Sequence, residues 1–226
     1  MKYDKRLASR EGSLEHLEWL KGYYLEKIKN TKDKKALAEE IAYKIASLEQ
    51  EAIRDRLTGA FNRGFVGAVL GLEVELVGSY GHSLGLVMLD IDYFKSINDE
   101  EPDKHAAGDR TLIELVKLLR EVCGSLAIVG RWGGEEFVVV VPNVSGENLR
   151  EMAVDVGHSV GGWLAQRAKL VRPKVTVSMG VVIASGSESG TDLMIKADKL
   201  LYKAKESGRA RLVMDVGGEE VVVKFG

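Results

Sequence analysis

Two short acidic segments carry the residues whose types and spacing are best suited to chemistry. The first, RWGGEEF at 131–137, places two glycines and two adjacent carboxylates between the apolar runs Leu126–Val129 and Phe137–Val141. The second, Asp90-Ile91-Asp92, ends another apolar run at Leu84–Leu89. Apolar runs joined by glycines predict a hairpin, because glycine reaches positive φ without steric cost and leaves room for a ligand at the backbone. Carboxylates at such a tip suit a hard cation, so the two clusters indicate a magnesium–phosphate site between two strands.

Five segments, in order along the chain, carry a resemblance to one known family. They are Asp55–Arg63 (DRLTGAFNR), Asp90–Asp99 (DIDYFKSIND), Gly133–Phe137 (GGEEF), Val175–Val181 (VTVSMGV) and Ala197–Arg211 (ADKLLYKAKESGRAR). Together they resemble the GGDEF family of diguanylate cyclases, in its Gly-Gly-Glu-Glu-Phe form, over about residues 54 to 213. The order and the number of matching segments make chance a poor explanation.

The resemblance implies a metal site. Asp90 lies at the predicted end of a strand and Asp92 two residues on, so their side chains share a side if the strand persists. In family terms Asp90, the Ile91 carbonyl and Glu135 bind Mg²⁺, with Mn²⁺ as the alternative. Glu136 is then a further ligand or a proton acceptor, and the sequence leaves both roles open. Phosphoryl transfer to a ribose hydroxyl needs metal ions to neutralise the triphosphate and to lower the pKa of the attacking 3′-OH.

Three basic residues are candidates for holding phosphate. Lys95 follows the acidic cluster, and Lys205 and Arg209 lie four residues apart, which places both on one face of a helix. Taken alone, each is a solvated surface charge. The resemblance implies that all three contact phosphates and that Lys95 also stabilises the transition state, acting with Glu135 and Glu136 as the catalytic residues. Gly208 is predicted to end the helix and to let Arg209 turn inward.

The resemblance also implies a guanine pocket. Asn98 and Asp109 match the pair that reads the Watson–Crick edge of guanine in the family, and His105 matches a further nucleotide contact. A carboxylate accepts from guanine N1–H and N2–H₂, whereas adenine has no such pair of donors, so Asp109 favours GTP over ATP.

The chain departs from the family pattern in three places. The segment Asp99–Lys104 is two residues longer than usual, with Lys104 in place of the customary glycine. Ala210 stands where the family usually has Asn. Gly124 and Ala127 occupy the positions at which many relatives carry the Arg and Asp of an inhibitory product-binding site, so that site is predicted to be absent.

The same four letters occur a second time, at Gly217-Gly218-Glu219-Glu220, between Leu212–Val216 and Val221–Phe225. No Asp-x-Asp strand or basic helix accompanies this copy. We interpret it as a solvated hairpin turn whose glutamates act as edge charges.

Composition limits the remaining classes of function. The chain has 226 residues, is 45% hydrophobic and carries a net charge of −2, which supports a full core and disfavours nonspecific nucleic-acid binding. Its Lys and Arg residues lack aromatic interleaving, which disfavours a nucleic-acid surface further. Cys123 is the single cysteine, so a disulfide within the chain is impossible. With no signal peptide or apolar run of membrane length, the sequence predicts a cytoplasmic protein without membrane insertion.

The elements that must position the site follow from periodicity. Residues 1–53 are predicted to be helical, and Ala38, Ile41, Ile45, Leu48 and Ala52 have coiled-coil spacing. This segment is either a helix packed on its own domain or a dimerisation stalk, and we favour the stalk. Residues 54–213 form the predicted catalytic domain and 214–226 a C-terminal hairpin extension. The predicted elements are helices 62–80, 106–122, 145–166 and 191–206 and strands 84–91, 126–132, 137–142 and 175–184.

This order predicts an α/β, palm-like sandwich with a central, mostly antiparallel sheet covered by helices, of the nucleotide cyclase and GGDEF type. The resemblance implies condensation of two GTP into cyclic di-GMP and two pyrophosphates by two-metal phosphoryl transfer, with Asp90 and Glu135 at the metal pair. The working unit is then a homodimer, because two active sites must face each other. The first alternative is a catalytically silent GGDEF domain that senses GTP or binds a partner. A polymerase-like or class III mononucleotide cyclase shares only the metal chemistry and would need a different reader of the base.

Overall fold

The computed structural model describes residues 52–171, 174–216 and 218–225. The chain divides into two compact units, Met1–Ala52 and Ile53–Gly226. The predicted N-terminal helices and their coiled-coil seam lie almost wholly outside the described residues. Among the helices that the structure describes, none is long and apolar enough to cross a membrane.

The described part of the chain forms a seven-stranded mixed sheet with helices on both faces. The strands are β1 (Phe61–Asn62), β2 (Leu84–Ile91), β3 (Ile128–Arg131), β4 (Glu136–Pro142), β5 (Val177–Ile183), β6 (Arg211–Val216) and β7 (Glu219–Lys224). The helices are α1 (Arg63–Tyr80), α2 (Phe94–Glu100), α3 (His105–Cys123), α4 (Gly146–Ser159) and α5 (Gly190–Glu206).

The strand order is β1-β3-β4-β2-β5-β6-β7, with β1–β3 and β5–β6 parallel and the other neighbours antiparallel. The mostly antiparallel α/β sandwich predicted from the sequence is therefore confirmed. The C-terminal hairpin of β6 and β7 extends this sheet, because β6 pairs along β5.

Strand β2 lies at the centre of the sheet, and all of its residues are buried. Alternate side chains point to opposite faces of a strand. Val87 and Leu89 accordingly join the apolar cluster beneath α3 and α4, whereas Leu86 and Met88 join the cluster beneath α1 and α5. This packing on both faces fixes the register of β2 and brings the acidic end of the strand to one edge of the core.

Helices α1 and α5 begin with side-chain caps. The side chain of Asn62 accepts from Phe65 N at the start of α1, and Ser189 forms a capping box with Asp192 at the start of α5. Helix α2 was not predicted, because it begins after Tyr93 in a left-handed conformation (φ 55°) with no side-chain cap to mark it.

Some predicted elements differ in detail from the observed ones. The helix expected over 145–166 is α4, which continues through a π-helical turn at Val160–Leu164 and a last turn at Ala165–Arg167. Strand β3 is shorter than the expected 126–132, and Leu126, at 81% exposure, lies in the connection before it. An exposed leucine looks like a strand residue in the sequence, since periodicity does not report burial.

Candidate nucleotide and metal site

The Gly133 hairpin and the end of β2 lie side by side. In the register of β2 and β4, Asp90 is opposite Glu136, and on the other side of β2 it is opposite Ser178. Asp90 follows Leu86 and Met88 in the alternation, so its side chain points toward the face covered by α1 and α5. The last turn of α5 brings Lys205 to it, with Nζ 2.9 Å from Asp90 Oδ2.

A cleft of about 210 Å³ opens at this edge of the sheet. Its lining consists of acidic, basic and aromatic residues from β2, α2, the Gly133 hairpin and the end of α5: Asp90, Ile91, Tyr93, Phe94, Lys95, Glu135, Lys205 and Arg209. Six residues predicted for metal and phosphate contacts are thus brought together, although they come from distant parts of the sequence.

The electrostatics of the cleft centre on Asp90, which is 6% exposed. Burial raises the pKa of Asp90 to about 6, because desolvation disfavours the charged form. The Lys205 ammonium opposes this rise, and the carboxylates of Glu135 and Glu136 add to it. Positive charge that enters the cleft therefore favours ionised Asp90.

Glu136 does not line this cleft. A Cβ on Gly133 would lie 2.7 Å from Glu136 Oε2, so the carboxylate folds over the glycine turn. Glu136 lines a neighbouring cavity of about 330 Å³ together with Trp132 and Asp198. Within the described residues no three His, Cys, Asp or Glu side chains converge as a ready metal cage.

The glycines of the first hairpin act differently from the prediction. We expected positive φ, but neither Gly133 nor Gly134 adopts it, and that part of the prediction was wrong. The turn closes through bonds from Trp132 N and Gly133 N to the Glu136 carbonyl, at 2.8 and 3.3 Å. Gly133 admits the Glu136 carboxylate, and Gly134 has open space where a Cβ would point.

Arg131, to which the sequence assigned no role, holds the hairpin in place. Its Nη2 donates to the Gly134 carbonyl at 2.7 Å, and its Nη1 donates to Asp55 Oδ1 at 3.1 Å. Asp55 also accepts from the Thr58 backbone and hydroxyl. Burial alone raises the pKa of Asp55, but the hydrogen bonds from Thr58 and Arg131 outweigh it and lower the pKa below its usual value. Asp55 and Arg131 are 76 residues apart, so no local pattern in the sequence predicts this contact.

Asp92 supports the site from within the protein. Its carboxylate accepts from Thr176 Oγ1 and Ser178 Oγ, both at 2.7 Å, and from Ala210 N at 3.0 Å. With these three bonds and 4% exposure, Asp92 joins β2 and β5 to the loop after α5.

The predicted guanine readers lie beside the cleft, at the junction of α2 and α3. Asn98 packs so closely against Gly108 that any side chain there would overlap Asn98 Oδ1. The next residue, Asp109, is exposed, as is His105 at the start of α3. Phe94 lines the cleft and also packs on Gly108, so it joins the two regions.

The longer Asp99–Lys104 segment is fixed by contacts of its own. Glu101 is buried, and its Oε2 accepts from Val171 N at 2.7 Å. Arg110 pairs with Asp103 and donates through Nε to the Ala168 carbonyl at 2.8 Å. The extra length therefore packs toward residues 168–171.

The inhibitory product-binding site was predicted to be absent, and the residues at its two positions carry no charge. Gly124 ends α3 with φ 78°, and Ala127 packs against the apolar cluster under α3.

Comparison with known proteins agrees with this geometry. The family model for the diguanylate cyclase GGDEF domain matches residues 52–211, more than half of the chain. The chain therefore belongs to the GGDEF family.

Named relatives and solved structures are similar over most of the chain. This chain is 36% identical over 163 residues to the diguanylate cyclase DgcP of Pseudomonas aeruginosa. It is 33% identical over 171 residues to the diguanylate cyclase VdcA of Vibrio cholerae. These matches cover 72% and 75% of this chain but only 24% and 49% of the two relatives. The crystal structure of the coiled coil and GGDEF domain of DgcB from Caulobacter crescentus in complex with c-di-GMP matches with a TM-score of 0.74 and 26% identity, over 81% of this chain and 96% of that one.

Proposed function

We propose that this protein is a diguanylate cyclase, which condenses two GTP into cyclic di-GMP and two pyrophosphates. The observation that carries the proposal is the cleft at the end of β2, where the carboxylates of Asp90 and Glu135 lie among the cations Lys95, Lys205 and Arg209. Cations beside carboxylates suit a metal–triphosphate substrate, because charge develops on phosphate oxygens during the transfer.

The donor set fits Mg²⁺ or Mn²⁺. Asp90, the Ile91 carbonyl and Glu135 offer hard oxygen ligands, and Lys205 already gives the buried Asp90 a positive partner. Glu136 would complete the set after its side chain turns from Gly133. When bound, the metal neutralises the triphosphate and lowers the pKa of the attacking 3′-OH.

The basic residues then hold the phosphates. Lys95 projects from the first turn of α2, Lys205 from the last turn of α5, and Arg209 lies over the Tyr93 ring at 4.8 Å. Together these three cations would hold the negatively charged triphosphate in the cleft. Lys205, once it exchanges Asp90 for phosphate, would release the carboxylate to the metal.

Guanine recognition is proposed for the junction of α2 and α3. Asn98 and Asp109 lie on adjoining turns beside the cleft, and His105 begins the same helix as Asp109. Asp109 would accept from guanine N1–H and N2–H₂, so loss of its carboxylate relaxes the preference for GTP over ATP.

The working unit is proposed to be a homodimer. Cyclic di-GMP contains two equivalent 3′–5′ linkages, so two GTP-loaded clefts must face each other across a two-fold axis. Residues 1–53 are proposed to raise the concentration of facing pairs as a coiled-coil stalk.

The test is incubation of the protein with GTP and Mg²⁺, followed by separation of the products by mass. Cyclic di-GMP with two pyrophosphates supports the cyclase. Unchanged GTP that remains bound to the protein would instead select the silent sensor, and a cyclic mononucleotide would select the third class.

A further inference from the structure

The C-terminal strand β7 is tied to the loop that carries Arg209. The family match ends at residue 211, so β7 and Phe225 lie beyond it. In the register of β6 and β7, Lys224 is opposite Arg211. The chain therefore returns to the start of β6, and the backbone N–H of Phe225 donates to the Ala210 carbonyl at 2.8 Å.

That loop has an unusual backbone. Gly208, Arg209 and Ala210 follow one another at φ 115°, 59° and 48°. Left-handed conformations are uncommon for residues with a Cβ, and they persist only where the surroundings enforce them. The sequence around Arg209 therefore does not by itself dictate the direction in which the guanidinium points.

Two hydrogen bonds fix Ala210 from opposite sides. Its N–H donates to the buried Asp92 carboxylate at 3.0 Å, and its carbonyl accepts from Phe225 N. Arg209 N donates to the Ala204 carbonyl at 3.0 Å, which closes the end of α5. The peptides on both sides of Arg209 are thus held, and its side chain lies in the cleft.

Phe225 is anchored by packing. Its ring is 3% exposed within the cluster beneath α3 and α4, and a side chain at Gly157 of α4 would overlap it. His158 meets the ring edge-on, with centroids 6.1 Å apart. The ring therefore fixes where the Phe225 N–H lies.

We infer that Phe225 is a positioning residue for the phosphate site: the buried ring holds β7 so that its N–H keeps the Ala210 peptide, and with it Arg209, facing the cleft. This rests on the proposed function in one respect, the assignment of Arg209 to phosphate.

The experiment compares Phe225→Ala with Val222→Ala in the full-length protein. Val222 lies on the same strand but is 50% exposed, so its truncation tests for a general effect on β7. We expect Phe225→Ala to weaken binding of a nonhydrolysable GTP analogue about tenfold, the low end for loss of one charge-assisted contact. Val222→Ala should bind like the unmodified protein. Phe225→Leu, a milder truncation, should give an intermediate loss even if the alanine variant does not fold.

Two further variants separate positioning from general stability. With Arg209→Ala already present, Phe225→Ala should add no further loss of affinity. Ala210→Asn should restore binding to Phe225→Ala, because Asn adopts the left-handed conformation more readily than Ala. Equal losses with and without Arg209, or no rescue by Asn, would overturn the inference.

Hydrogen exchange of the Ala210 amide tests the inference without relying on cyclase activity. Faster exchange in Phe225→Ala but not in Val222→Ala is the expected result, and unchanged exchange refutes the positioning role. A protein that forms no cyclic di-GMP yet shows this pattern would reject only the proposed function.

Discussion

The tetrapeptide Gly-Gly-Glu-Glu occurs at residues 133–136 and again at 217–220, each time between two antiparallel strands. In the first copy, Glu136 lies opposite Asp90 of the central strand β2, and Glu135 lines the cleft. In the second copy, Glu220 lies opposite Asp215 at the edge of the sheet and pairs with Lys203 on the exposed side of α5.

The difference between the two copies shows that the tetrapeptide Gly-Gly-Glu-Glu specifies a charged turn but not a functional site. The first turn is suited to chemistry because of its surroundings. A buried carboxylate lies on the neighbouring strand, two helices bring cations close, and Arg131 fixes the backbone of the turn. The second turn has solvent on one side, and there a glutamate forms an exposed ion pair, which contributes little free energy.

The largest difference between the turns should appear when their first glutamates are removed. Glu135→Ala should lower cyclase activity at least about 10²-fold, the scale of losing one transition-state electrostatic contact. Glu219→Ala is the matched control and should leave activity unchanged. Steady-state rates with GTP and Mg²⁺ measure both, and near-normal turnover by Glu135→Ala would reject the metal-site assignment.

Next in size is the loss of the arginine that distinguishes the first turn. Arg131→Ala should lower activity between tenfold and about 10²-fold, because the hairpin loses its tie to Asp55 and shifts against β2. It should also lower the free energy of unfolding by about 1–3 kcal/mol, since a partly buried carboxylate loses a charged donor. Urea unfolding measures the change in stability, and steady-state rates with GTP and Mg²⁺ measure the change in activity. Arg131→Lys keeps the charge but not the forked geometry, so its activity should lie between those of Arg131→Ala and the unmodified protein. Full activity of Arg131→Ala would show that the hairpin does not need its contact with Asp55.

Smaller effects should come from the glycines, and for opposite reasons. Gly133→Ala should leave the free energy of unfolding nearly unchanged but lower activity about tenfold, because the new Cβ would crowd Glu136 and shift the turn that carries Glu135. Gly218→Ala should leave activity unchanged but cost about 1 kcal/mol of unfolding free energy, because Gly218 has φ 93°. Thermal unfolding and rates measured on the same samples separate the two cases. A stability loss at Gly133 without an activity loss would contradict this account.

The smallest effect is expected at Glu220. Its partner Lys203 and Glu220 itself are 53% and 44% exposed, so Glu220→Ala should change the free energy of unfolding by no more than about 0.5 kcal/mol. The change should shrink further in high salt, because exposed charges are screened. A loss above 1 kcal/mol, insensitive to salt, would mean that the second turn is more than a solvated edge.

Most of the fold could be predicted from the sequence, since its elements rest on local patterns. The apolar run of β2 and the basic helix α5 each involve residues close in sequence, and their pattern is visible there. The family motifs also selected the six residues that meet in the cleft. Helix α2 and the π-helical turn carried no such local signal.

The contacts that hold the candidate site could not be predicted from the sequence, because they join distant segments of the chain. The pairing of Lys205 with Asp90, the Arg131 contact with Asp55, and the Phe225 contact with Ala210 join residues far apart in sequence. The Glu136 carboxylate lies over Gly133 and outside the cleft, which is likewise a result of packing. Such contacts depend on strand order and on the space left after packing, and a linear pattern of residue types encodes neither directly.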